Sequence, residues 1–492
     1  MLRFEANGTY AAGLALLVLI LLAGYHVRRT LQHPIAQVSG PWISKWTDAV
    51  VTYYWLTGRR AKYVHSLHQK YGPVVRVSPD EVDFSDIAVT KEVYSVKEVY
   101  LKSLFYNKLI PPGFFNLFNV SDVNLHRRYR RLLSNSMSES SLKLMYPVIE
   151  ANVNLAIQNM REEMEQRGAA DMFKWWLFMA TDIIGELTFG ESFRMLEQKR
   201  KNQYIIDLES VAAQGALRST FPLLFYVSGI LPLPIFRRAE EATQRITRYA
   251  EESLARHARL ELTDPTNAKT TLFSKMYKAE EDEQLAFKEI RDNAITYIVA
   301  GSDTTSNTLT FLIWAVCRHP SVRAALLKEL ATLPSEGFGD QELKELPYLN
   351  AVIEETLRLY GAAPSALPRV VPPGGACLAG YWLGEGTTVS SQAYTLHRDP
   401  ETFPQPEVFD PSRWEAPTKA MKDAMFAFGG GSRICIGLHL ARMELRLAAA
   451  QFFRAFPDAK ISGLEGMSDE DMEQKIYFLS MPKGRRCLIE SH

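Results

Sequence analysis

The chain has 492 residues but little cysteine: four residues, no two of them in a C-x-x-C arrangement. That excludes the common paired-thiolate zinc sites and a disulfide-built scaffold, and it fits a reducing compartment. The ten histidines are scattered and no H-E-x-x-H occurs, so the usual helical zinc-hydrolase site is missing. An excess of one charge is also lacking. Lys plus Arg number 56 and Asp plus Glu number 56, so composition gives no support to bulk nucleic-acid binding. There is no internal repeat, no low-complexity tract and no glycine pattern of a dinucleotide-binding unit.

What is present begins with an apolar, uncharged run over residues 10–25, closed by His26, Arg28 and Arg29. Extended to residue 27, it meets the length of about 17–25 residues that a spanning helix needs, particularly in a thin membrane. A cleaved signal peptide is the other reading of such a run. With no small-x-small cleavage site and two arginines directly after, an uncleaved anchor with a cytosolic C-terminal side is expected. The chain then divides into a short lumenal stub at 1–9, a transmembrane anchor at 10–27, a Pro/Gly hinge at 28–45 and one catalytic body at 46–492.

Within the body, the β-branched run 74–77 and the segment 82–84 flank Pro79-Asp80 and read as strands. Residues 142–259 are mostly helical in pattern. They are interrupted at 221–236 by an apolar stretch containing Pro222, Pro232 and Pro234. From composition alone, that stretch reads as an ordinary buried connector. A long helix is expected over 287–318, broken by Pro320. Its centre reads Ala300-Gly301-Ser302-Asp303-Thr304-Thr305, a set poorly suited to a buried helix interior. Ala300, Asp303 and Thr304 share a face at i, i+3, i+4, and Gly301 leaves room for a ligand to touch the backbone. The bland alternative is a helix cap at Asp303 opening a separate helix.

Further on, Glu355 and Arg358 stand three apart on one helix face, and Arg413 lies in Phe409-Asp410-Pro411-Ser412-Arg413-Trp414. A carboxylate and a guanidinium so placed allow paired, charge-assisted bonds. The most informative stretch is Phe428-Gly-Gly-Gly-Ser-Arg-Ile-Cys-Ile-Gly437, which sets a lone cysteine in a glycine-rich turn ahead of a helical pattern. Gly431 and Gly437 would permit unusual backbone angles and close approach. Arg433 suits an anionic edge of a bound group. A buried structural thiol is the ordinary fate of such a cysteine.

Phe428, Gly431, Arg433, Cys435 and Gly437 together match F-x-x-G-x-R-x-C-x-G, so the chain resembles the cytochrome P450 family. Residues 300–305 match A-G-x-D-T-T, and Glu355 with Arg358 matches E-x-x-R. The resemblance implies a mainly α fold with a small β region, the cytochrome P450 fold, behind one N-terminal transmembrane helix. It implies haem b, with Cys435 as thiolate ligand of the iron, a ligand that favours O–O cleavage. Thr304 would help hold dioxygen and Asp303 would help relay protons. Arg130 would bond a propionate, with His126 in place of the family's tryptophan; Arg369 would do the same from a strand. Glu355, Arg358 and Arg413 would form a structural triad. Arg127, Arg128 and Arg131 are either a solvated face or a docking patch for an acidic electron donor. Residues 365–367 would touch substrate, and His397 would be structural.

The implied reaction is RH + O₂ + NADPH + H⁺ → ROH + H₂O + NADP⁺. Its electrons would come from NADPH–cytochrome P450 reductase at the endoplasmic reticulum membrane. Membrane lipid and a lipophilic small molecule are the other expected partners, and nucleic acid is not one. Ser138-Glu-Ser-Ser141 and Phe173-Lys-Trp-Trp176 resemble fungal secondary-metabolism members, which would make the substrate a polyketide or terpenoid. Alternatives are a desaturase or ring-forming oxidase, an isomerase or dehydratase on the same fold, and a non-enzymatic haem-binding protein. Intact Asp303 and Thr304 speak against the isomerase.

Overall fold

The structure is a computed structural model describing residues 34–222, 234–264, 266, 269–274, 285–335 and 337–491, with isolated positions between 14 and 32. The expected anchor at 10–27 and most of the apolar stretch at 221–236 lie outside the described residues. No helix among the described residues is long and apolar enough to cross a membrane.

Helices dominate, and local chemistry sets their ends. Asp122 caps α1 (Val123–Ser134) by accepting from the Leu125 N–H. Pro147 opens α2 (Tyr146–Arg167), which Gly168 closes in the left-handed conformation. Asp171 caps α3 (Met172–Phe189), a helix buried nearly all round, and Gly190 ends it in the same way. Next come α4 (Gln203–Ala213) and α5 (Pro234–Thr263), packed on each other. The longest element is α6 (Phe287–Arg318), with the boundaries the sequence suggested. It runs through the middle of the protein, packed chiefly along α3 and also against α5, α7 (Pro347–Tyr360) and α8 (Leu438–Ala455). The main apolar core lies among α2, α3, α6, α7 and α8. Because α6 is continuous through Asp303, the cap reading of that residue does not hold.

Gly301 has a reason other than ligand contact. A Cβ there would sit 2.7 Å from Ile184 Cγ1 of α3. The glycine lets two core helices approach, so the space expected for a ligand is filled by Ile184.

The β region is small. A five-stranded sheet runs β1 (Val74–Ser78), β2 (Glu81–Phe84), β5 (Thr388–Ser390), β4 (Arg369–Val370), β3 (Leu101–Lys102) in spatial order. Only the β2–β5 pair is parallel. Register places Lys102 opposite Arg369, and Arg369 opposite Val389. The Pro/Gly segment after residue 33 lies against this sheet. Ile35 and Val38 are buried, Arg76 donates to the Ile35 carbonyl at 3.0 Å, and the Arg76 N–H donates to Ser39 O at 2.7 Å.

Candidate functional site

The cysteine loop is closed by the Cys435 N–H donating to the Phe428 carbonyl at 2.9 Å. Phe428 packs partly buried against the main core, with the Arg442 guanidinium 5.7 Å from its ring centroid. Gly431 has φ +61°, and a Cβ there would overlap the Tyr94 carbonyl oxygen, so only glycine fits. Gly437 differs from expectation: its φ of −85° is open to any residue, and it caps α8. Its N–H faces the cysteine sulfur instead. Burial pushes the Cys435 thiol up, while that N–H and the Arg130 guanidinium pull it down. The Cys435 side chain keeps accessible surface.

Arg130 donates to the Ile434 carbonyl at 2.6 Å, next to the cysteine. Both groups lie within electrostatic reach of Tyr297. This sets α6 beside the loop, with Ala300 and Thr304 at the next turns on the face that Tyr297 occupies. Ala300 also keeps accessible surface in mid-helix. Thr304 Oγ1 donates to Ala300 O at 2.6 Å. Its proton is thereby held, and its lone pairs are left to accept. Burial first, and Glu209 second, push the Asp303 carboxyl up to about 6, against Lys201 and Arg485.

A second group of expected residues converges on one buried cluster. Arg433 donates to Glu98 Oε1 at 2.6 Å and to the Val120 carbonyl at 2.6 Å. His126, 2 % exposed, places Nδ1 3.1 Å from Glu98 Oε1 without hydrogen-bond alignment. Burial, then Arg433, Lys102, Arg130 and Arg369, drive its pKa down to about 3, so the ring is neutral. Arg369 lies 5.3 Å from the Tyr94 ring centroid, and its Nε is buried without a hydrogen-bond partner. The sequence reading missed Lys102 and Glu98. Burial pushes the Lys102 amine well below its usual range, Arg369 and Arg433 push the same way, and only Glu98 opposes. Nothing local marks these two residues, because Glu98 meets Arg433 across 335 positions of chain.

The remaining expectations separate. Arg127 lies 3.4 Å from Glu98 Oε2 and Arg128 lies 3.2 Å from Glu289 Oε1, so neither is a purely solvated cation; Arg131 is exposed. Ser365 is less available to substrate than its position suggested, since its hydroxyl donates to the Tyr477 carbonyl. Glu355, Arg358 and Arg413 do assemble. Arg358 grips Glu355 bidentately at 2.7 and 2.8 Å, with both side chains fully buried, and Arg413 Nε donates to the same carboxylate at 3.0 Å. Trp414 Nε1 and the Asp410 N–H complete the shell at 2.9 Å each. His397 joins this region to the cysteine loop. Its Nδ1 donates to the Arg358 carbonyl at 2.8 Å, and its Nε2 accepts from the Phe426 N–H at 2.9 Å.

Comparison with known proteins agrees with this geometry. The family profile described as Cytochrome P450 matches residues 45–487. The chain is similar to "Cytochrome P450 monooxygenase tazI" of Aspergillus terreus, 47% identical over 492 residues and covering 100% of both chains. It is similar to "Cytochrome P450 monooxygenase orf2" of Aspergillus niger at 44% identity, covering 94% of this chain and 95% of the relative. "Cytochrome P450 monooxygenase aflV" of Aspergillus parasiticus is 34% identical, over 93% of this chain and 91% of its own. With the loop, the long helix and the buried triad in place, the chain belongs to the cytochrome P450 family.

Proposed function

We propose that this chain is a haem-thiolate monooxygenase that hydroxylates a lipophilic intermediate, a polyketide or terpenoid, of fungal secondary metabolism. Electrons come from NADPH through a separate flavin-containing reductase, and the protein is anchored in the endoplasmic reticulum membrane with its body in the cytosol. The substrate class rests on the sequence resemblance, and the relatives support it only in being fungal cytochrome P450 monooxygenases.

The residues fit haem. Lys102, whose Nζ donates to the Phe118 carbonyl, and Arg369 are two basic side chains opposite each other across a strand pair, with Arg433 beside them and Glu98 as the carboxylate among them. Opposed like charges destabilise a strand pair, and burial makes the arrangement costlier. Arg369 Nε and Ser432 Oγ are buried without hydrogen-bond partners. A dianionic rim such as the two haem propionates suits that donor set. Cys435 as thiolate would hold the haem iron, and haem bound there would supply the centre at which dioxygen is activated.

The observation that carries oxygen chemistry is the Asp303–Thr304 pair on a continuous α6. The Thr304 hydroxyl accepts in its present rotamer, and it donates once it releases Ala300 O. Asp303, with a pKa of about 6, changes protonation near neutral pH, as a proton relay requires. Thr304→Ala should keep its haem and still consume NADPH, while releasing more peroxide and less product. Asp303→Asn should turn over more slowly. Unchanged product per NADPH in well-folded Thr304→Ala would remove this assignment. Metabolite comparison of a producing strain with and without the protein tests the substrate class.

A further inference from the structure

A small cavity lies between α4 and α6, away from the cysteine loop. Its walls are Leu177, Ile205, Leu208 and Val299, and its polar members are Glu209, Ser302 and Asp303. Its volume of about 20 Å³ accommodates one water molecule. Ser302, 4 % exposed, has an Oγ without any hydrogen-bond partner. A buried hydroxyl left so beside a chamber of this size calls for a water, which also needs further polar partners. Asp303 and Glu209 line the same chamber and supply them. Glu209 also reaches outside: its side chain is 42% exposed and accepts from Lys201 Nζ at 2.6 and 2.8 Å.

We propose that Glu209 is the residue through which protons pass from solvent to Asp303, by way of one water held in this cavity by Ser302. Glu209 takes a proton from solvent on its exposed edge. It gives that proton to the cavity water, which passes one of its own to the Asp303 carboxylate. Glu209 is left ionised for the next cycle, and no electron moves. The cavity has room for one water and no more, so the path carries protons and not bulk solvent. The charged groups bearing on Asp303 are Glu209, Lys201 and Arg485, so the pH response belongs to that set. The proposal rests on the oxygen-relay reading of Asp303 given above.

The test uses the full haem-loaded protein with its reductase, and infrared titration of the Asp303 carboxyl band, identified by its loss in Asp303→Asn. Removing the Glu209 charge in Glu209→Gln should move that titration to lower pH, with haem content and the substrate-induced spectrum unchanged. Product formation should fall at least about threefold, with a larger solvent isotope effect. Glu209→Asp should recover part of the rate. Ser302→Val displaces the water and should slow turnover similarly, and the double variant should be no slower than the slower single one. An unmoved Asp303 titration, an unchanged rate in Glu209→Gln, or additive losses in the double variant would each overturn the proposal. If Thr304→Ala impairs coupling and Asp303→Asn slows turnover while Glu209→Gln does neither, the relay reading stands and only this path falls. If Thr304→Ala leaves coupling unchanged and Asp303→Asn leaves turnover unchanged, the relay reading falls and the path falls with it.

Discussion

Glu355→Gln is the most quantitative perturbation the structure offers. Glutamine keeps the shape of Glu355 and one accepting oxygen but removes the charge that Arg358 and Arg413 share. Arg358 and Glu355 are both 0% exposed, so water cannot replace what is lost. The guanidinium of Arg358 keeps the carbonyls of His397, Pro406 and Val408, which satisfy three of its five N–H groups but not its charge. Breaking a buried pair from one side costs about 3–5 kcal/mol. That is a large share of a typical folding stability of about 5–15 kcal/mol. In urea, with a slope of about 3–4 kcal/mol/M for a body this large, the midpoint should fall by about 1 M at constant slope. The assay follows far-UV dichroism and the haem-thiolate absorbance in parallel. Arg358→Met in the same background removes the stranded cation, so the double variant should lose less than the sum of the singles by about 1–3 kcal/mol. A midpoint shift below about 0.3 M, or strict additivity, would refute the view that Glu355 is held by charge in a closed site.

Cys435→His should abolish the red-shifted ferrous–CO band; a variant that retains it would show that Cys435 is not the ligand. Gly431→Ala forces a left-handed angle on a side chain and drives its Cβ into the Tyr94 carbonyl. It should cost about 1–3 kcal/mol or more, read as a lower haem-to-protein ratio and a lower Tm. His397 is buried neutral, burial having lowered its pKa from 6.5 to about 3. The unfolded chain therefore takes up a proton below 6.5 that the fold refuses. This contribution is full above pH 6.5 and is lost as pH falls toward 3, with a slope of at most about 1.4 kcal/mol per pH unit. Urea midpoints at pH 7.5 and 5.5 should differ less in His397→Gln than in the parent.

Residues whose chemistry is written locally were legible in advance. The cysteine loop, the 287–318 helix, the strands at 74–77 and 82–84, and the Glu355–Arg358 pair all depend on neighbours a few positions away. Arg413 was found because its segment follows in a recognised order. Lys102, Glu98 and Glu209 were not legible, because sheet register and helix packing alone bring them to their partners. Gly301 and Gly437 show the opposite error. Each was assigned a ligand or a backbone strain, while one answers to Ile184 and the other has an ordinary φ. His126 was read against a propionate, and nothing in the sequence pointed to Glu98, whose Oε1 lies 3.1 Å from its Nδ1.

The two-residue pairing of β3 with β4 has a consequence for recombining related chains. Side chains alternate across a strand, so inserting or deleting one residue just ahead of Arg369 would send its guanidinium to the opposite face of the sheet and leave Lys102 opposite a different residue. Residues 371–387 form a separate excursion carrying its own small hairpin, Ala376–Leu378 with Tyr381–Leu383, between β4 and β5. Crossover points and length changes placed inside that excursion leave both flanking registers intact, whereas joints between residues 361 and 370 must preserve chain length residue for residue.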